Sequence, residues 1–468
     1  MNMHRLIVIT LTVVVLCGCG NLLKSDYQRP MLSVPPEWRL KESGTGWLQN
    51  TPHWWDNFQD PLLSRTLSAV LVSNNDLAKA GLQLQLARLE AGLTDTNATP
   101  DVSVGANANN SRNLRQNRTP EESYSSSLSL SYELDLWGRL ARAREQAQWL
   151  VQASEQDRQN TALTLIGTTA DFYWQIANLN QNIASQRESI VIAQQTLQLA
   201  EARYAAGAVG QTDVLQARQT LLSRQNQLSD YEQQRERARN ATAILFNTSP
   251  LNRQPERTSL DPRQDIPVVQ SLPVAALARR PDVKAAEWRL RAALAGSDAA
   301  RLSFWPTLSL SASLNAGSAI FNQWFTNPVS SVGSAVALPF VQWNTVQLTV
   351  AKSHIEVQQA AIDFRSAVYN ALADVDNAQA ERLSYARQRQ HQLEDLQLSL
   401  RRLDIVQSQY RSGAVSFQTL LDAQDTLLRS KVSISALQYG YLNATMKLWL
   451  ALGGGARDIN DDKGLHDE

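Results

Sequence analysis

Arg203-Tyr204-Ala205-Ala206-Gly207-Ala208-Val209 returns as Gln409-Tyr410-Arg411-Ser412-Gly413-Ala414-Val415, displaced by 206 residues. The same offset relates Asp76 to Asp282, Pro100 to Pro306, Trp137 to Trp343, Leu215 to Leu421 and Ala217 to Ala423. Solenoid repeats recur at roughly 20–50 residues, so this is a duplicated half-molecule. Each glycine stands where a left-handed residue lets a helix end and the chain reverse. A helix is therefore expected before each turn and a second one running back after it, over 211–246 and 416–452.

The helices leading into the turns are very long. Residues 141–206 contain no proline and a single glycine, Gly167, and residues 345–411 contain neither. At 1.5 Å per residue each would be roughly 100 Å, which calls for a coiled-coil arrangement. Ile183, Ile190, Leu197 and Tyr204 fall seven apart, with Ala193 and Ala200 three further on. Leu393, Leu396, Leu400, Leu403, Val406 and Tyr410 make a similar seam. Narrow apolar seams between broad Gln, Asn, Ser and Arg faces suit a wall wetted on both sides.

Before each long helix the period changes to two. Val102, Val104, Ala106 and Ala108 alternate with polar residues, as do Leu128, Leu130, Tyr132, Leu134 and Leu136. The second half repeats this in Leu308, Leu310, Ala312 and Leu314, then Val336, Leu338 and Phe340. Strands are predicted at about 101–109, 124–137, 307–316 and 332–341. Such segments fit membrane strands, and equally a soluble sheet with one wet face. Four strands cannot close a barrel, and open edges are not tolerated in lipid. The membrane reading therefore requires several copies to share one barrel. A helix of about 35 residues, opened by Asp60-Pro61 and ended by Pro100, precedes the first pair.

The N-terminus reads as a secretion signal. His4 and Arg5 lead into an apolar run of 11 residues, Leu6 to Leu16, too short to span a bilayer as a helix. Leu16-Cys17-Gly18-Cys19 resembles a bacterial lipobox. Residues 1–18 would be the signal, and Cys19 would carry N-acyl and S-diacylglycerol groups. Gly20 at the next position, in place of an aspartate, points to outer-membrane sorting. Cys17 would leave with the signal, so no disulfide is expected. Residues 19–60, rich in Pro and Trp, read as an extended belt; 247–280 reads as a linker and 453–468 as a polar tail.

Lys and Arg together number 44, balanced by 44 Asp and Glu, which gives no basic stripe for nucleic acid. The five histidines, at 4, 53, 354, 391 and 466, are scattered without metal-ligand spacing. No nucleophile motif or phosphate loop appears, so neither an enzyme nor a cofactor is expected.

Ordered motifs now cover nearly all of the mature chain. They are Trp54-Trp55 with Phe58 and Asp60-Pro61, Tyr132 to Arg139, Arg203-Tyr204 to Gly207, Arg279-Arg280-Pro281-Asp282-Val283, Phe304-Trp305-Pro306, Leu420 to Gln424, and Ala451 to Gly455. In this order they resemble the TolC-like outer-membrane efflux factors, in particular their OprM-like (NodT) lipoprotein branch. The resemblance implies a mainly α protomer with membrane β, repeated internally over 61–246 and 281–452. Its homotrimer would form a twelve-stranded outer-membrane barrel on a long periplasmic α-helical barrel. The partners it implies are a periplasmic membrane-fusion adaptor, an inner-membrane pump and outer-membrane lipid. The function would be the exit duct of a tripartite efflux system. A duct for type I protein secretion is the alternative within the family. A structural lipoprotein spacing the envelope is the alternative outside it, and the alternating strands speak against that.

The resemblance also places a periplasmic gate. Asp213 and Asp422 match tip positions where family members carry aspartates, and three-fold symmetry would make each a ring that attracts cations. Asp213 equally reads as a first-turn carboxylate serving the helix dipole, worth about 0.3–1 kcal/mol. Tyr204 and Tyr410 would bond across helix pairs or pack in the seam. Gln418 stands where OprM-like members often have a bulky apolar residue, with Phe417 adjacent as a substitute. Val415 replaces an arginine of TolC, so no salt-bridge lock is expected there. Gly207-Ala208-Val209 and Gly413-Ala414-Val415 are the expected adaptor-docking tips.

Overall fold

The computed structural model describes residues 23–33, 53–112, 120–266 and 279–454. The signal segment, Cys19, most of the Pro/Trp-rich belt, residues 267–278 of the linker and the tail beyond Gly454 lie outside the described residues. The first half contains α1 (Pro61–Ser73), α2 (Asn75–Asp95), β1 (Asp101–Ser111), β2 (Glu121–Leu134), α3 (Arg139–Ala205) and α4 (Gln211–Leu245). The second contains α5 (Pro281–Leu302), β3 (Thr307–Ser318), β4 (Val329–Ala337), α6 (Trp343–Arg411) and α7 (Phe417–Ala451).

The helix expected to run unbroken from Pro61 is two helices. Asn74 is extended (φ −74°, ψ 131°), and its N–H closes α1 on the Val70 carbonyl. Its Oδ1 then accepts from the Asp76 and Leu77 amides at 2.9 and 3.0 Å, capping α2. Its Nδ2 donates to the Leu245 carbonyl at 2.8 Å. One buried asparagine thus satisfies two helix ends and the end of a third.

The predicted strands also shift. Leu136 and Trp137 fall outside β2, because Asp135 caps α3 by accepting from the Leu140 and Ala141 amides at 3.0 and 2.7 Å. Leu338 and Phe340 fall outside β4, where Pro339, which has no N–H to give a ladder, opens a short 3-10 turn.

Two compact units divide the chain. One contains the residues up to Leu32, Leu82–Gln156 and Lys284–Ala367. Its centre is an antiparallel sheet in the order β1-β2-β3-β4, which leaves β1 and β4 as edges. The registers put Val104, Leu128 and Leu314 in one row, ended by Ser330 on β4, and Val102, Leu130, Ala312 and Val332 in the next. Leu134, Leu308 and Val336 continue the same face. The opposite face carries Ser103, Ser129, Ser313 and Ser331 in a single row, beside Gly105, Ser127 and Asn315. Val104 and Val332 are 80% and 88% exposed, so the described chain does not cover the apolar face. A soluble sheet buries that face, whereas a membrane sheet turns it to lipid. Among the described residues no helix is long and apolar enough to cross a membrane.

The same unit is bound by a strap at its N-terminus. Ser25 donates to Asp298 through its amide at 2.8 Å and its hydroxyl at 2.6 Å. The Arg301 guanidinium donates to the Leu23 carbonyl at 2.6 Å. Arg291 lies over the rings of Tyr27 and Trp288, at 4.3 and 4.9 Å. Burial, reinforced by Glu287, pushes the Tyr27 phenol up to about 12.

The other unit contains Ser33–Gly81, Asp157–Val283 and the chain from Val368. Its core gathers Trp54, Phe58, Leu63, Leu67, Trp174, Ile266, Tyr441, Met446 and Trp449. Trp54 stacks on Trp449 with centroids 5.5 Å apart. Gly454 has φ +60°, and a Cβ there would lie 2.8 Å from Leu163 and 2.9 Å from Trp54, so no side chain fits.

Two buried polar nodes fasten the linker to this core. Asp60 caps α1, accepts from the Tyr173 hydroxyl at 3.0 Å and pairs with Arg257 at 2.8 Å. Arg382 donates to the Ile266 carbonyl at 2.8 Å and the Tyr441 hydroxyl at 3.0 Å. Tyr441 in turn donates to Asp265, and burial raises its pKa.

Removing Asp60 strips a cap and leaves Arg257 half-paired beside the core. Asp60→Ala should lower stability by about 2–4 kcal/mol, against about 1 kcal/mol for Asn74→Ala. Thermal unfolding followed by circular dichroism checks both the size and the order.

Candidate functional site

The two tips are built alike. Gly207 has φ +72° and Gly413 has φ +78°. The Ala208 amide donates back to the Arg203 carbonyl at 2.9 Å, and the Ala414 amide to the Gln409 carbonyl at 2.8 Å. These six-to-one bonds are the Schellman closure, which requires a left-handed residue at the glycine. No atom lies within 4 Å of a Cβ built on either glycine, so backbone conformation, not space, demands it. Ala208 and Ala414 are exposed, and Val209 and Val415 half-buried.

Behind the tips the repeat loses its symmetry. Tyr410 is 3% exposed and sits in a cluster with Ala200, Ala217, Val406, Phe417, Leu420 and Ala423. Its ring lies 5.7 Å from Phe417, and the Arg203 guanidinium caps it at 4.6 Å. Tyr204, its counterpart, is 48% exposed. Two differences between the halves accompany this: Phe417 begins α7 where Gln211 begins α4, and the Arg203 that covers Tyr410 matches Gln409 in the second half. Tyr410 and Phe417 are therefore packing residues of the seam within this chain.

Between α4 and α7 lies a polar groove of about 380 Å³, lined by Gln216, Gln219, Thr220, Ser223, Arg224, Gln418, Leu421, Asp422 and Asp425. Gln418 donates to Asp422 at 2.8 Å, one helical turn away. Arg224 donates to Asp425 at 2.5 Å, and Arg429 pairs with the other carboxylate oxygen at 2.9 Å. Asp422 is exposed beside this pair. Asp213 does not line the groove; it stands half-buried in the first turn of α4, its amide donating to the Gly210 carbonyl at 3.2 Å. Of the residues proposed for a gate, the fold brings Gln418 and Asp422 together and leaves Tyr204 and Asp213 apart from them.

Asp425 and Arg224 escaped the sequence reading. A signal for Asp425 was present, since Asp422 and Asp425 are three apart and share a helix face. Arg224 lies 201 residues from its partner, with nothing local to mark it.

The fold and the tips can now be set beside known proteins. The family model described as outer membrane efflux protein matches residues 66–246 and 272–454. The pyoverdine export outer membrane protein OpmQ of Pseudomonas putida is 31% identical over 437 residues, covering 91% of this chain and 92% of its own. The cation efflux system protein CusC of Escherichia coli K12 is 28% identical over 454 residues, covering 94% and 97%. The open-state crystal structure of the Neisseria gonorrhoeae MtrE outer membrane channel superposes with a TM-score of 0.80 at 26% identity, covering 93% and 98%.

Because both tip glycines face open space, Gly207→Asp and Gly413→Asp should strain a single turn by about 1–2 kcal/mol without unfolding the long helices. Each should abolish transport while trimers still assemble. Drug-susceptibility assays beside native gels test this, and normal export by either variant would remove the tips from the docking role.

Proposed function

Because the chain belongs to the outer membrane efflux protein family, we propose that it is the exit duct of a tripartite export system, assembled from three copies. The two-faced sheet carries this reading: a mainly apolar face, a serine-rich face and two free edges. Two copies would give an eight-stranded barrel, whose interior side chains fill; three give twelve strands and an open water path. Cys19 carries the lipid anchor. The glycine tips engage a periplasmic membrane-fusion adaptor, and through it an inner-membrane pump.

Asp422 and Asp425 supply the constriction in this reading. Repeated three-fold, they bring carboxylates together around an axis and attract cations. Arg224 and Arg429, both paired with Asp425, balance part of that charge and leave Asp422 the freer carboxylate. Asp213 serves the N-terminal dipole of α4. The polar face of the sheet is mostly hydroxyls and amides, with carboxylates only towards its ends, at Asp101, Glu121 and Glu133. Relatives of similar identity are named for pyoverdine and for cations, chemically unlike cargoes, which supports a permissive duct that leaves choice to the pump.

Single-channel recording in planar bilayers tests the reading. The purified protein should give small cation-selective steps that divalent cations block. An Asp422→Ala/Asp425→Ala variant should lose the block, its cation-to-anion permeability ratio falling towards one. Channels unchanged by the variant would move the constriction elsewhere, and silent, well-formed trimers of both proteins would defeat the duct.

A further inference from the structure

The joint where α7 ends and α5 begins repeats the joint between α4 and α2, with a different result. Arg280 lies 206 residues after Asn74, and Ala451 the same distance after Leu245. Asn74 donates to the Leu245 carbonyl at 2.8 Å, and Arg280 donates through Nη1 to the Ala451 carbonyl at 3.2 Å. In the first half one asparagine, 4% exposed, completes the joint. Arg280 is 9% exposed and reaches further. It holds both oxygens of Asp282, at 3.0 and 2.7 Å, and Oδ2 of Asp374 at 2.9 Å. Thr168 stands in the first half where Asp374 stands in the second, so this carboxylate is not a requirement of the joint.

Beside the Arg280 guanidinium opens a cavity of about 350 Å³, lined wholly by residues of one compact unit. Leu163, Pro281, Ala378, Leu450 and Ala451 give it apolar walls, and Asn160, Thr164 and Asn377 contribute amides and a hydroxyl. Its ionised lining is Asp282, Asp374 and Glu381 against Arg280 and Lys447, three carboxylates to two cations. Lys447 already places its ammonium on Glu381 at 3.2 Å. The excess negative charge therefore belongs to the group around Arg280. There Asp282 has both oxygens engaged and Asp374 only one. Among the described residues nothing donates to Oδ1 of Asp374, and the side chain is 55% exposed.

We propose that this cavity binds a small organic amine with a single ammonium group and an apolar body. The ammonium donates to the open oxygen of Asp374 and to the amide oxygen of Asn377, one turn further along α6. The carbon body lies against Leu163, Ala378 and Leu450. One positive charge brings the cavity to neutrality, and the charge-assisted bond to the carboxylate supplies the selectivity. A carboxylate in the same place would meet Asp374 and Asp282 without a free donor strong enough to offset them. Sites for small molecules begin at about 300 Å³, so the volume suits a body of one or two rings. Binding here is independent of the export reading and of the groove that contains Asp422.

Three indoles of one shape and different charge test the site: tryptamine, tryptophol and indole-3-propionate. Equilibrium dialysis of the purified full chain, beside detergent alone, should show saturable uptake of tryptamine at a single site in each chain. Tryptophol should bind about tenfold more weakly or worse, and indole-3-propionate should not bind. Asp374→Asn keeps an oxygen for Arg280 and removes the charge; it should weaken tryptamine about tenfold or more while thermal unfolding stays at the parent temperature. If that variant melts early, the order of the three indoles on the parent protein still decides. Equal uptake of all three, which marks partition onto apolar surface, would overturn the site, as would no saturable uptake of tryptamine. So would tryptamine binding that survives Asp374→Asn but is lost in Asp422→Ala/Asp425→Ala, which would place the amine in the tip groove.

Discussion

A peptide group that meets hydrocarbon without a hydrogen-bond partner costs several kcal/mol, and a sheet edge presents a row of them. The four-stranded sheet has two such edges, β1 and β4, and an apolar face that its own chain leaves uncovered. Each strand is also joined to a helix by four or five residues, at 96–100, 135–138, 303–306 and 338–342. Whatever pairs the edges therefore governs where the helices beside them go. Oligomerisation is in this sense a requirement of the backbone, met before any side chain adds affinity.

The polar nodes solve a different problem. A linker of irregular backbone has carbonyls and amides that no ladder satisfies, and it must be held against helices. Arg257, Arg382 and Arg389 supply forked donors, while Asp60 and Tyr441 place acceptors and hydroxyls at the core boundary. Arg382 and Arg389 lie 5.2 and 4.2 Å from the ring of Tyr441, so their charge is met by a π face as well as by oxygen. The described part of the linker, up to Ile266, is thereby held by few residues, each with several partners.

Much of this was legible because the signals are local. Gly207 and Gly413 mark helix ends wherever they occur, and the change of period from seven to two separates helix from strand. The break at Asn74 is hard to see, since Leu62 to Leu77 keeps helical spacing and contains no proline or glycine; both of its caps are local, to Val70 and to Asp76 and Leu77, while its bond to the Leu245 carbonyl comes from far along the chain. The fates of Tyr204 and Tyr410 were equally hidden. Their surroundings share the glycine turn but differ at Arg203/Gln409, Ala205/Arg411, Ala206/Ser412 and Gln211/Phe417, and Tyr410 is buried against Phe417 and beneath Arg203. Asp425 was overlooked although it shares a face with Asp422, because its role depends on Arg224 across the groove.

The row Ser103, Ser129, Ser313 and Ser331 has a consequence for anything that moves past it. A serine hydroxyl rotates freely and can donate at one moment and accept at the next. It holds no fixed charge, gathers no counter-ions and offers no pocket in which a molecule could settle. A surface made of such groups exchanges hydrogen bonds with a passing solute or its water at nearly constant energy. Along this stretch the landscape is flat, and passage is slowed by friction alone.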